Sequence, residues 1–271
     1  MPDSSLLAAV SCANHEPVVV CVGGGTNSTA LLVGLHERGE RVDLSLFADT
    51  GAEKPETYRH VAELSAWCVS VGFPPIITVQ SQDRYGRPYT LEEKCLAGKS
   101  LPSIAYGFKS CSEKHKKRPQ DRFLRDWVPA QAAWAAGGKV TKLIGYDAGE
   151  ERRAKLYDDG RYRYRYPLLE WDWDRDDCIA AIRRANLGLP GKSSCFFCPS
   201  MKKHEIVGLA EQHPDLMRRA LTLEANAELT SIKGLGRRFA WRDLVIDGVP
   251  LDRVFCDAGK ETDCGCYDGE E

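Results

Sequence analysis

A chain of 271 residues, 43% hydrophobic and 28% charged, is ordinary for a globular protein and long enough for one large α/β domain. Its net charge of −2 excludes a global field that would draw it to nucleic acid or membrane, so any such binding must come from local patches. No apolar run approaches the roughly 20 residues that span a bilayer, and MPDSSLLAAVSCANHEP has no basic stretch before an apolar core; no membrane partner and a cytoplasmic location are expected.

In chain order, EPVVVCV is β-branched and unbroken by polar residues, the pattern of a buried strand. Residues 27 to 38 carry Ala30, Leu31, Leu32 and Leu35 at helical spacing, with Gly39 near the end. DLSLFADTG gives a second strand ending in Asp49, Pro55 opens a helix that closes at Gly72, and PPIITVQ gives a third strand. KVTKLIGYDAG predicts a fourth strand and RDDCIAAIRRANLG a helix. RYRYRY, Arg161 to Tyr166, alternates with period two, either as a half-buried edge strand or as a phosphate-facing arginine row. Strands alternating with helices predict a doubly wound, mostly parallel α/β sheet. We expect one domain over 1–271: a core of about 17–205, a helical C-terminal part of about 206–250 and an acidic tail of 251–271.

Between the first strand and the first helix stands GGGTNST, comprising Gly23, Gly24, Gly25, Thr26, Asn27, Ser28 and Thr29. A glycine loop at the carboxyl end of a parallel strand presents backbone N–H groups at a positive helix end, which suits phosphate. The spacing is neither that of a Walker loop nor that of a dinucleotide fold, and a plain tight turn is the competing reading. For phosphate, Thr26, Ser28 and Thr29 add hydroxyl donors.

The loop is in register with S-G-G-x-D-S. FADTGAEKPETY, Phe47 to Tyr58, matches D-T-G-x-x-x-P-E-T-Y, while CSEKHKKRP and GYDAGEERRAK supply a Cys–Lys–Pro and a Gly–Glu–Arg segment. Across residues 18 to 203 the chain thus resembles the PAPS-reductase-like branch of the PP-loop ATP pyrophosphatases. That resemblance implies an adenine nucleotide alpha hydrolase (HUP) fold and ATP at the loop, with Thr50, Gly51 and Gly145 nearby. It implies that Asp49 places metal or ribose, and that Lys116, Arg152 and Arg153 meet phosphate charge. Gly23 stands in place of the family's serine. Asn27 replaces its acidic residue, which removes the carboxylate usually linked to Mg²⁺ and leaves Asp49 as the nearby charge.

Eleven cysteines, an odd number in a reducing setting, favour metal or sulfur chemistry over disulfides. Cys195 and Cys198 form a C-x-x-C followed by proline and two lysines, a spacing at which thiolates share one metal or cluster. The resemblance adds Cys111 as a ligand, with Cys95 the best fourth and Cys264 or Cys266 as alternatives. A [4Fe–4S] cluster is the leading reading, and structural Zn²⁺ accepts the same ligands. Cys12, Cys21, Cys68 and Cys178 lie in apolar segments, as small core residues do.

Two basic segments complete the reading. KSCSEKHKKR, beside Cys111, is expected to meet an anionic substrate, with Lys116 and Lys117 acting together. KGLGRRFAWR offers Phe239 and Trp241 either as stacking platforms or as buried aromatics. The resemblance therefore implies ATP cleavage between the α and β phosphates, adenylylation of an acceptor, and sulfur transfer through the cluster to nucleic acid or a nucleotide. A sulfur-donor protein such as a cysteine desulfurase would be a partner. The alternatives are a PAPS or APS reductase and a degenerate nucleotide-binding module with structural zinc.

Overall fold

The computed structural model describes residues 16–108, 110–154, 159–246 and 249–250. Strand β1 (Val18–Val22) runs into helix α1 (Thr26–Glu37), followed by β2 (Leu44–Asp49), α2 (Pro55–Ser70) and β3 (Ile76–Gln80). Next come α3 (Leu91–Ala97), α4 (Ser110–Ser112), a π-helical turn at Glu113–Lys117, α5 (Arg118–Asp126) and α6 (Val128–Ala135). Strands β4 (Val140–Ile144) and β5 (Tyr162–Arg165) flank a 3₁₀ turn at Ala148–Arg153. The remaining helices are α7 (Pro167–Glu170), α8 (Arg175–Arg184), α9 (Lys203–Gln212) and α10 (Pro214–Asn226). A short antiparallel pair, β6 (Val245–Ile246) with β7 (Val249–Pro250), follows.

The five long strands form one parallel sheet in the order β3-β2-β1-β4-β5, the doubly wound class expected. Val20 of β1 pairs with Ser45 on one side and Leu143 on the other. Because the chain builds outward from β1 to β3 and then returns to place β4 on β1's other edge, the winding reverses between β1 and β4. In such sheets the crevice at that switch, beyond the strands' carboxyl ends, receives the ligand.

Helices cover both faces. Val20, Leu31, Leu35, Leu64, Leu143 and Ile182 pack β1 and β4 against α1, α2 and α8. On the opposite face Val19, Leu44 and Leu46 pack against Leu124 and Ala130 of α5 and α6. A third cluster lies off the sheet and joins Leu91, Phe196, Phe197, Ile206, Met217 and Trp241. Glu224, 2% exposed, anchors its C-terminal side by accepting the backbone N–H groups of Leu235 (2.8 Å), Trp241 (2.9 Å) and Arg242 (3.2 Å). Trp241 is wholly buried and Phe239 packs on the same cluster, so these aromatics are core rather than stacking platforms.

β5 is the edge strand, and its arginines meet acids. Arg163 pairs with Glu16 at 2.5 Å, and Arg165 with Glu40 at 3.0 Å and Glu170 at 2.5 Å. An arginine row facing phosphate is not what this strand presents. Among the described residues no helix is long and apolar enough to cross a membrane. Cys12, Cys264, Cys266 and the 251–271 tail lie outside the described residues.

Candidate functional site

The glycine loop leaves β1 at Val22 and enters α1 at Thr26 with Gly25 as N-cap; among the described residues no side chain caps that helix, and its first turn holds no acid. Its leading N–H groups are thus left for an anion. Gly24 has φ of +75°, a left-handed conformation that a side chain would strain, and a Cβ there would meet Thr57 at 3.0 Å. At Gly145, after β4, a Cβ would stand 2.8 Å from the Asn27 carbonyl oxygen, so only glycine lets the two loops approach.

The cleft over this switch point is lined by Gly23, Gly25, Thr26, Asn27, Ser28, Gly145, Lys116 and Arg153 among the residues singled out from sequence. Gly24, Thr29, Asp49, Thr50, Gly51 and Arg152 do not line it. Thr29 has no exposed surface; its hydroxyl contacts Gly25 O (3.0 Å) and His60 Nε2 (2.8 Å). Ser28 Oγ donates to the same carbonyl at 3.0 Å. The hydroxyls of Ser28 and Thr29 therefore bond the loop's own backbone rather than extending toward a phosphate, a correction to the expected donor role.

Asp49 ends β2 with its carboxylate engaged. Oδ1 accepts from Gly51 N (2.7 Å) and Tyr58 OH (2.9 Å), and Oδ2 from Gln80 Nε2 (2.6 Å). These bonds brace the turn after β2, and burial together with Asp49's charge holds the Tyr58 phenol protonated well above its usual range. Arg152 is exposed, whereas Arg153 pairs with Glu150 and lies 4.4 Å over the Tyr146 ring.

The basic run divides. Lys116 is 6% exposed, lines the cleft, and has its Nζ 3.7 Å from Glu53 Oε1, while Lys117 turns outward to Glu113 at the same distance. Successive residues of a helical turn face about 100° apart, which sets these neighbours on different faces. Glu53 is 4% exposed with Lys116 beside it; burial raises its pKa and Lys116 opposes that.

Lys116 and Glu53 both act on Cys195. Burial, then Glu53's charge, push that thiol well above its ordinary range, Lys116 opposes them, and Thr50 Oγ1 lies 3.2 Å from Sγ. Cys95 is buried, with its pKa pushed up to about 12 by burial; Lys94 lowers it and Cys111 raises it. Cys95 belongs to the off-sheet cluster and Cys111, Cys195 and Cys198 pack against it, Cys95 in the field of Cys111 and Cys195 in that of Cys198. Yet among the described residues no three Cys, His, Asp or Glu side chains are grouped to hold a metal ion. Cys21, Cys68 and Cys178 are buried in the core, with pKa values pushed up by burial to about 11, 12 and 12.

Several lining residues escaped the sequence reading: Arg175 at the start of α8, Tyr146, and the Gly191–Lys192–Ser193 loop. Ser193 Oγ sits 2.7 Å from where a side chain on Gly25 would begin. Gly-Lys-Ser just ahead of the C-x-x-C was the available signal.

No known family's profile matches this chain, and no curated protein matches it in sequence. Among solved structures, it is similar to the U34-tRNA thiolase NcsA from Methanococcus maripaludis with its [4Fe-4S] cluster, at 13% identity and a TM-score of 0.44. The match covers 84% of this chain and 78% of that one.

Proposed function

We propose that the chain is an ATP-dependent transferase of the PP-loop type, which binds the nucleotide at Gly23–Ser28, adenylylates an acceptor and releases pyrophosphate. The observation that carries this reading is an uncapped helix start at the sheet's switch point, facing a cleft with Lys116, Arg153, Arg175 and Lys192 on its walls. Backbone N–H groups would hold the phosphates, and the cations would offset charge as the acceptor attacks the α-phosphorus and pyrophosphate leaves. Sulfur transfer to a nucleic acid or nucleotide is the finer reading. Its support is that Lys116, a wall of the cleft, also stands in the field of Cys195. A cluster on Cys95, Cys111, Cys195 and Cys198 would require the two pairs to close on one another, and no step here passes through one.

Steady pyrophosphate release from ATP in the presence of tRNA or a nucleotide acceptor is the test. Release that depends on the acceptor supports the proposal, whereas tight ATP binding without release leaves a binding module. Iron with acid-labile sulfide in anaerobically purified protein would restore the cluster; zinc alone would remove it.

A further inference from the structure

Asn27 and Arg175 form a pair that no sequence motif announces. The Asn27 carboxamide is 6% exposed; its Nδ2 donates to Asp147 Oδ2 (3.1 Å) and Glu150 Oε2 (2.7 Å), and its Oδ1 accepts from Arg175 Nη1 (3.3 Å). Both donors of the amide are thus used, and its oxygen is turned to Arg175. A carboxylate at position 27 would lose both donors and bring three acids together, an arrangement that a bound cation or a proton on one of them relieves. With asparagine, Asp147 and Glu150 become hydrogen-bond acceptors instead of ligands, Glu150 also pairs with Arg153, and Asp49 is bonded at both oxygens. Mg²⁺ prefers carboxylates with open oxygens and retained waters. The Mg²⁺ that the sequence resemblance implies does not fit the residues present here.

The geometry points to Arg175 as the group that supplies the missing positive charge, binding the nucleotide's phosphates directly with Asn27 as its anchor. This rests on the proposed nucleotide site at the glycine loop. The other cations of the cleft already face acids: Arg153 with Glu150, Lys116 near Glu53, and Lys192 with Glu205 at 2.9 Å. Arg175 has no carboxylate within ion-pairing distance among the described residues, although acids flank it in sequence. Asp174 and Asp177 are engaged in the capping box of α8. Among the described residues Arg175 therefore brings to the cleft a guanidinium held by no ion pair, with donors left over after Asn27 takes one. A planar fork of this kind matches two phosphate oxygens at once.

Calorimetric titration of the full chain with ATP, in EDTA and in Mg²⁺, tests the assignment, with adenosine as the phosphate-free control. Wild type should bind ATP with affinities in the two buffers that agree within about threefold. Arg175→Ala should weaken ATP by about 10- to 100-fold, the range for losing hydrogen bonds to a charged group, and leave adenosine unchanged. Arg183→Ala, on the same helix, should match wild type. Asn27→Asp should acquire Mg²⁺-dependent binding of at least about tenfold, a change that loss of packing alone would not produce. Should that variant fail to fold, Asn27→Ala should weaken ATP as Arg175→Ala does. Unchanged ATP affinity in Arg175→Ala, or a wild type that needs Mg²⁺, overturns the assignment. If Gly24→Val then abolishes binding, the loop reading survives it; if wild type binds no ATP at all, both fall.

Discussion

At the glycine loop, polar groups are gathered at the sheet's switch point and face a cleft. Asn27, Lys116, Arg153 and Arg175 converge there from four separate segments, and the helix start is left uncapped. The cysteine region lies off the sheet and does the reverse. Phe196, Phe197 and Leu209 are packed to under 4% exposure around it, burial raises the Cys95 and Cys195 thiols, and its acid Glu53 is buried against Lys116. The first is organised to receive charge from outside; the second keeps charge out. Lys116 touches both environments, which makes it the side chain through which one region would sense the other.

The largest way to break this contrast is in the apolar cluster. Phe197→Ala should cost about 3–5 kcal/mol in urea unfolding, as buried aromatic truncations do, while the folded fraction keeps its ATP affinity. A stability loss below about 1 kcal/mol would mean that the cluster is not packed as described.

A smaller effect comes from His115, 2% exposed, whose pKa burial and then Lys94 and Lys114 push down to about 4. Because the unfolded imidazole titrates near 6.5, the unfolded chain binds more protons between the two values. The stability from keeping this group neutral is complete above about 6.5 and is lost as pH falls toward about 4, up to on the order of 3 kcal/mol. His115→Gln should flatten that part of the stability–pH curve. Parallel curves for the two proteins would contradict the buried, neutral assignment.

The smallest effect separates two neighbours. Lys116→Ala should weaken ATP about tenfold and lower the salt dependence of binding, whereas Lys117→Ala should do neither, since it turns away from the cleft that Lys116 lines. Equal losses from both would return the basic run to a single anion-binding face.

The comparison also explains what the sequence made legible. Unbroken Val18–Val22, the alternation of RYRYRY and the Gly-bounded helices follow from period and turn chemistry, which are local, so the parallel sheet could be read directly. The glycine loop was legible for the same reason. Arg175 and Ser193 were not, because they meet the loop only through the fold, some 150 residues along the chain. Lys116 and Lys117 look equivalent as letters, and which of the two the helical turn aims at the cleft leaves no compositional mark. Thr29 carries a donor hydroxyl in the sequence, yet helical phase turns it inward onto His60. Asp49 was expected to hold metal or ribose, but its carboxylate is bonded by Gly51, Tyr58 and Gln80, and the Gln80 bond depends on β2 and β3 lying side by side.

The central claim is that the loop between β1 and α1 is the seat of a nucleotide's phosphates. A co-crystal structure with a non-hydrolysable ATP analogue tests it most directly. The account predicts phosphate oxygens within hydrogen-bond reach of backbone N–H groups between Gly24 and Ser28, with the Arg175 guanidinium against them. Phosphates bound elsewhere on the molecule, with that loop facing only solvent, would contradict it.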